Sequence, residues 1–301
     1  MTRRTALRAG ALALAALGIV AGLTIYFSTQ KIPPCLVTGI SKWRPPTDTQ
    51  LHRFELVVPD RALCFFDMDH DHALVGYLSL KPIVGVTAIA PRAGDLAIRY
   101  GGGRGALVDL RSGRLRYGVA PPPAPRDDVM VVDPRRPGVV YSTRRGVLGF
   151  RMFDLVTFDQ WNITFPGFTW NRRFGPNPPD HGLSLAPNKR ELWVLDAPNN
   201  VVHVFDVSHV PHFRPDDVKD IRLTVPLIGK ENPCASTRCG RIGSLQPSAD
   251  GRFMYVGDSG DVIDTAKREE VTNLEALHQS RLMLEVDWLN GKPVFPGASV
   301  K

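Results

Sequence analysis

Five stretches of this chain repeat one plan: a short apolar strand ending near proline, a polar turn, a second apolar strand, a second turn, and a third strand ending near aspartate. In one copy the strands are His181-Gly-Leu-Ser-Leu-Ala-Pro187, Glu191-Leu-Trp-Val-Leu195 and Val201-Val-His-Val-Phe-Asp206. In another, Gly243-Ser-Leu-Gln-Pro247 and Arg252-Phe-Met-Tyr-Val256 flank Asp250-Gly251, and Asp261-Val-Ile-Asp264 follows. Apolar runs this short, with turn residues between them, are the pattern of adjacent antiparallel strands. Asp-Gly is a hairpin signal because glycine accepts the positive φ that tight turns require. Looser copies start at Val86, Asp128 and Phe54. In the first half they are spaced by about 40 residues, the length of a four-stranded propeller blade. A lone sheet of this kind cannot bury both faces, whereas sheets stacked on one another can. The fold class expected is therefore all-β, a β-propeller of six or seven four-stranded blades. The 27 glycines and 26 prolines suit many short strands and turns and suit long helices poorly.

The N-terminus has a different composition. Arg3, Arg4 and Arg8 precede an apolar run from Ala9 to Phe27, and no acidic residue occurs before Asp48. Such a run approaches the about 20 residues that cross a bilayer as a helix. Tyr26 and Phe27 sit where an interfacial aromatic belt would, and the arginines favour a cytoplasmic N-terminus. Residues 1–30 are thus expected to form a signal anchor, one transmembrane helix, with residues 31–301 as the propeller domain. The domain is placed on the periplasmic or extracellular side of a single-pass inner-membrane protein, or secreted if the segment is cleaved.

All four cysteines, Cys35, Cys64, Cys234 and Cys239, follow the apolar run. In an oxidising compartment an even number points to disulfides, and four cysteines allow three pairings. Cys234 and Cys239 lie close enough to close on each other, which would leave Cys35 to staple Cys64. Zinc is disfavoured because no matching histidine pair flanks them.

The formal net charge is +7, but the positive residues are scattered and no Arg/Lys stripe interleaves with aromatics. A nucleic-acid partner is not expected. Partners expected instead are the membrane, through the N-terminal helix, and a protein or small molecule.

The copies at 181–206 and 243–264, with the C-terminal Leu282-Met-Leu-Glu-Val-Asp-Trp288, resemble bacterial YVTN-type β-propeller repeat proteins. The resemblance is close over residues 180–296 and pattern-level over 50–150. It implies seven blades, whereas the length beyond the anchor fits six. It brings no shared catalytic motif, and fold kinship transfers no activity.

Two polar clusters are candidates for chemistry. Asp67, Asp69, His70, Asp71 and His72 place carboxylates at alternate positions, as calcium loops do, while the histidines suit a transition metal. His72 stands where a calcium loop has glycine and Leu78 where it has its bidentate glutamate. The competing reading is a polar turn between strands. Asp180 and His181 open the clearest repeat, near where a propeller's central channel would lie; with Trp170 and Trp193 they are the candidate ligand-binding residues there. His209 and His212 form a weaker histidine pair. No nucleophile with a base is evident, so no catalytic residue is assigned and no cofactor beyond a divalent metal is implied. The function expected is an exported, membrane-anchored binding or interaction platform. The alternatives are a propeller enzyme of the lactonase or quinoprotein type, with its site at the channel, and a scaffold whose basic face rests on lipid.

Overall fold

The computed structural model describes Cys35 and residues 42–59, 61–123, 130–143, 147–166, 182–227, 243–278 and 280–296. The fold is all-β. The first sheet contains β1 (His52–Val57), β2 (Ala62–Asp67) and β3 (Ala73–Ser79). The second contains β4 (Val86–Arg92), β5 (Asp95–Tyr100), β6 (Arg104–Val108) and β7 (Leu115–Tyr117). The third contains β8 (Met130–Val132), β9 (Val139–Thr143), β10 (Gly149–Asp154) and β11 (Gln160–Thr164). The fourth contains β12 (Leu183–Leu185), β13 (Glu191–Asp196), β14 (Val201–Asp206) and β15 (Asp216–Arg222). The fifth contains β16 (Ser244–Pro247), β17 (Phe253–Gly257), β18 (Asp261–Asp264) and β19 (Glu269–Asn273). Each of these last four sheets is an antiparallel meander in chain order. The last strands, β20 (Met283–Leu289) and β21 (Lys292–Val294), return to the first sheet, whose order is β21-β20-β1-β2-β3.

The two ends of the described chain therefore meet in one sheet. β1 pairs with β20 over six residues, from His52 opposite Trp288 to Val57 opposite Met283. Pairing the terminal strands removes two open edges and ties the chain into a propeller-like arrangement. Among the described residues the sheets number five. The first sheet takes strands from both ends of the described chain.

Sheets pack face to face because one face of each strand cannot be buried within its own sheet. Trp43, Phe54, Phe65 and Trp288 of the first sheet's surroundings meet Leu96, Ile98 and Val108 of the second. Trp43 stacks on Phe65 with ring centroids 4.0 Å apart, and its indole N–H donates to the Leu110 carbonyl at 3.1 Å. Val57, Cys64 and Met283 of the first sheet meet Tyr255 and Val262 of the fifth. Trp193 and Val204 of the fourth meet Met254 and Ile263 of the fifth. Phe150 and Met152 of the third meet Val194 and Phe205 of the fourth. Contacts thus run from second to first to fifth to fourth to third. Full burial of each large aromatic side chain contributes about 2–3 kcal/mol. A disulfide joins Cys35 to Cys64 with Cα atoms 6.0 Å apart. It fastens the segment before the first sheet to the middle of β2.

No helix among the described residues is long and apolar enough to cross a membrane. The apolar run Ala9–Phe27, Cys234 and Cys239 lie outside the described residues.

Candidate metal centre

The fourth sheet carries a histidine and three carboxylates in contact. His203 lies in the middle of β14, with Asp220 opposite it on β15 and Asp217 opposite Phe205. Asp217 and Asp220 have opposite parity, so in a regular strand their side chains would leave opposite faces. A register shift between Val204 and Phe205 inserts one extra residue on β15. Such a bulge resets the alternation and brings both aspartates to the face of His203. One ligand atom from each of His203, Asp217 and Asp220 then lies within 4.8 Å of the others.

The imidazole is held on both sides. Nδ1 stands 2.6 Å from Asp220 Oδ1, and Nε2 stands 3.2 Å from Asp196 Oδ2. Asp196 ends β13, is buried, and is itself fixed by the backbone and side-chain N–H groups of Asn199 at 3.0 and 2.7 Å. The Phe165 ring covers the imidazole with centroids 4.0 Å apart. Burial would lower the His203 pKa, but the hydrogen bonds to Asp196 and then Asp220 outweigh it, and the shift is upward. Burial and the neighbouring Asp220 charge raise the Asp217 pKa, with His203 opposing. Two carboxylates this close disfavour each other's charge and together could seat a cation. Asp220 is 59% exposed at its side chain, so the seat is open.

The arrangement matches what a metal requires. A ligating histidine donates its other N–H to a carboxylate, which sets tautomer and ring orientation. Asp196 is placed to do this at Nε2, and Nδ1, hydrogen-bonded to Asp220, would have to give up that contact to a metal. One nitrogen and two oxygens suit zinc or another first-row ion better than calcium, which takes oxygens alone.

The Asp67–His72 turn between β2 and β3 gathers no such centre. Asp67 spends its oxygens on the turn itself, accepting the Asp69 backbone N–H at 2.9 Å and facing His70 Nδ1 at 2.9 Å. Asp69 is drawn away to Arg53, with Arg252 beyond at 3.7 Å. The backbone takes positive φ at Asp71 and His72, which turns His72 inward against Glu55. His70 projects into solvent. Alternate spacing in sequence therefore does not become convergence in space.

Trp193, expected near a channel, is fully buried in the core between the fourth and fifth sheets, and its indole N–H donates to Glu191 at 3.2 Å. Trp170, Asp180 and His181 lie outside the described residues. His209 and His212 are exposed in the loop between β14 and β15. Sequence reasoning missed Asp217 and Asp220 because six of their strand's seven positions, all but Ile221, are exposed, and it carries no apolar alternation. The available signal was the acidic run Asp216-Asp217-Val218-Lys219-Asp220, one hairpin beyond a histidine inside an apolar strand.

No protein-family model and no curated protein matches the chain. Among solved structures, it is similar to hydrazine synthase of Kuenenia stuttgartiensis at 18% identity, over 64% of this chain and 49% of that one, with a TM-score of 0.32. The chain thus spans about half the length of that protein. A functionally unknown protein from Desulfotomaculum acetoxidans is 10% identical over 82% of this chain and 86% of its own, with a TM-score of 0.31. A protein from Lactobacillus plantarum is 16% identical over 75% and 66%, with a TM-score of 0.34. At these values the fold rests on the chain's own sheets and the site on its own residues.

Proposed function

We propose that this chain is an exported β-propeller of the YVTN-repeat type that acts as a binding platform and grips its ligand through a divalent transition metal at His203, Asp217 and Asp220. The observation that carries the metal is the meeting of one imidazole nitrogen and two carboxylate oxygens within 4.8 Å on an open surface. Three protein ligands leave coordination positions for water or for an oxygen of a bound molecule. A carboxylate or hydroxyl-rich ligand, on a small molecule or on a partner protein, is the chemistry such a position accepts.

Export is supported by the N-terminal arginines and apolar run, and by the Cys35–Cys64 disulfide, which belongs to an oxidising compartment. In this reading the N-terminal helix stays in the inner membrane and holds the domain in the periplasm or at the cell surface. The enzyme alternative, with a channel site, loses Trp193 to the core.

Isothermal titration of the metal-stripped full-length chain with zinc tests the reading. The expected result is one site per chain, weakened about 10–100-fold or more when Asp217→Asn and Asp220→Asn are combined. No binding, or equal binding by the double variant, contradicts it.

A further inference from the structure

A second cluster lies where the chain ends meet, and the metal site has no part in it. Glu55 on β1 stands directly opposite Glu285 on β20. Side chains in such a pair are about 5 Å apart at Cβ, and like charges there oppose pairing. The neighbours on the same face are Arg53 opposite Asp287 and Val57 opposite Met283, and the face is turned toward the fifth sheet. Glu55 is fully buried. Its Oε1 accepts from the Tyr255 hydroxyl at 2.9 Å and meets His72 Nδ1, while its Oε2 makes no hydrogen bond among the described residues. Both oxygens of Glu285 accept the Ala249 backbone N–H, at 2.9 and 3.0 Å.

His72 can pair with Glu55 when it is protonated, but the remaining charges do not neutralise Glu285. Asp250, in the turn between β16 and β17, faces it, and Asp287 follows on β20. The nearby arginines are engaged: Arg53 holds Asp69 and Asp250, and Arg252 holds Asp250 at 2.6 Å. Burial pushes the Glu285 carboxyl up to about 7; the Ala249 N–H works against this, and the Asp250, Glu55 and Asp287 charges add to it.

We propose that Glu55 and Glu285 form a proton-dependent clasp on the seam between the first and last strands. With Glu285 neutral, β1 and β20 close the first sheet and Ala249 ties it to the fifth. When Glu285 ionises, two carboxylates oppose each other across the seam with a third, Asp250, beside them, and the seam loosens. The sign follows from linkage. The folded chain holds this proton to higher pH than the unfolded chain does, so the clasp contributes fully below the ordinary glutamate range. Its contribution falls as pH rises toward about 7 and is gone above it.

Hydrogen exchange of the full-length chain reads the seam directly, with β13 and β14 as internal reference. After correction for intrinsic exchange, protection in β1 and β20 relative to the reference should fall at least about tenfold between about pH 5.5 and about pH 8. In Glu285→Gln the fall should vanish. Constant relative protection in the unaltered chain, or the same fall in Glu285→Gln, overturns the clasp. Should that variant not fold, infrared titration of the unaltered chain replaces it. Loss of a protonated-carboxyl band near neutral pH is expected, and absence of any such band above about pH 5.5 overturns the proposal.

Discussion

His203 and His72 are both buried histidines whose Nδ1 meets a carboxylate on a neighbouring strand, yet they sit in opposite surroundings. Around His203 the acids Asp217 and Asp220 are displayed at a sheet's outer strand, open to water and to an incoming cation. Around His72, Glu55 is fully buried between two sheets, and Glu285 opposite it on β20 is half-buried. Carboxylates that oppose each other can be reconciled by a metal or by a proton. Access decides which: a bulged edge strand admits an ion with its remaining ligands, whereas a seam with Glu55 fully buried suits a proton. The first cluster becomes a binding site, the second a determinant of stability.

The largest expected effect that sharpens this contrast is at the seam. Glu55→Ala removes the acceptor of the buried Tyr255 hydroxyl and the partner of His72, and should destabilise the fold by about 3–5 kcal/mol in denaturant melts. Zinc affinity should not change in those molecules that fold. Next in size, Asp196→Asn leaves both metal-facing aspartates in place but weakens the hold on the His203 ring, and should cost about 10–100-fold in zinc affinity by titration calorimetry. An unchanged affinity would show that the imidazole is not a ligand. Smaller again, Glu285→Gln should raise stability at about pH 8 by about 1–2 kcal/mol and leave it nearly unchanged at about pH 5, as measured by thermal melting. The smallest effect belongs to the turn that looked most like a metal loop. Asp69→Asn loses a partly exposed pair with Arg53, should shift stability by less than about 1 kcal/mol, and should leave metal binding untouched.

The sequence was most legible where strands are buried. Each of the five repeat copies is one sheet, and the copy at 181–206 supplies β12, β13 and β14. Apolar alternation marks a strand only when one face is covered, so the outer strand β15 left no such trace although it carries Asp217 and Asp220. The bulge that unites those aspartates is a backbone irregularity with no residue signature here. The seam was half legible: Leu282–Trp288 stood out through its likeness to propeller repeat proteins, but nothing local says that its partner is Phe54-Glu-Leu-Val at the other end of the chain. The Asp67–His72 turn misled because acids spaced two apart cap turn backbone and pair with arginines as readily as they ligate metals. Trp193 misled because a tryptophan of the clearest repeat is a candidate for stacking a ligand at the channel, whereas its indole N–H is satisfied by Glu191 inside the core.

Anomalous diffraction at the zinc edge, from crystals of the chain grown with zinc, puts the central claim to the most direct test. One peak is expected in coordination contact with the His203 imidazole and with carboxylate oxygens of Asp217 and Asp220, and none between Glu55 and Glu285. A peak in the Asp67–His72 turn with none at His203, or no peak bound by the chain at all, would contradict it.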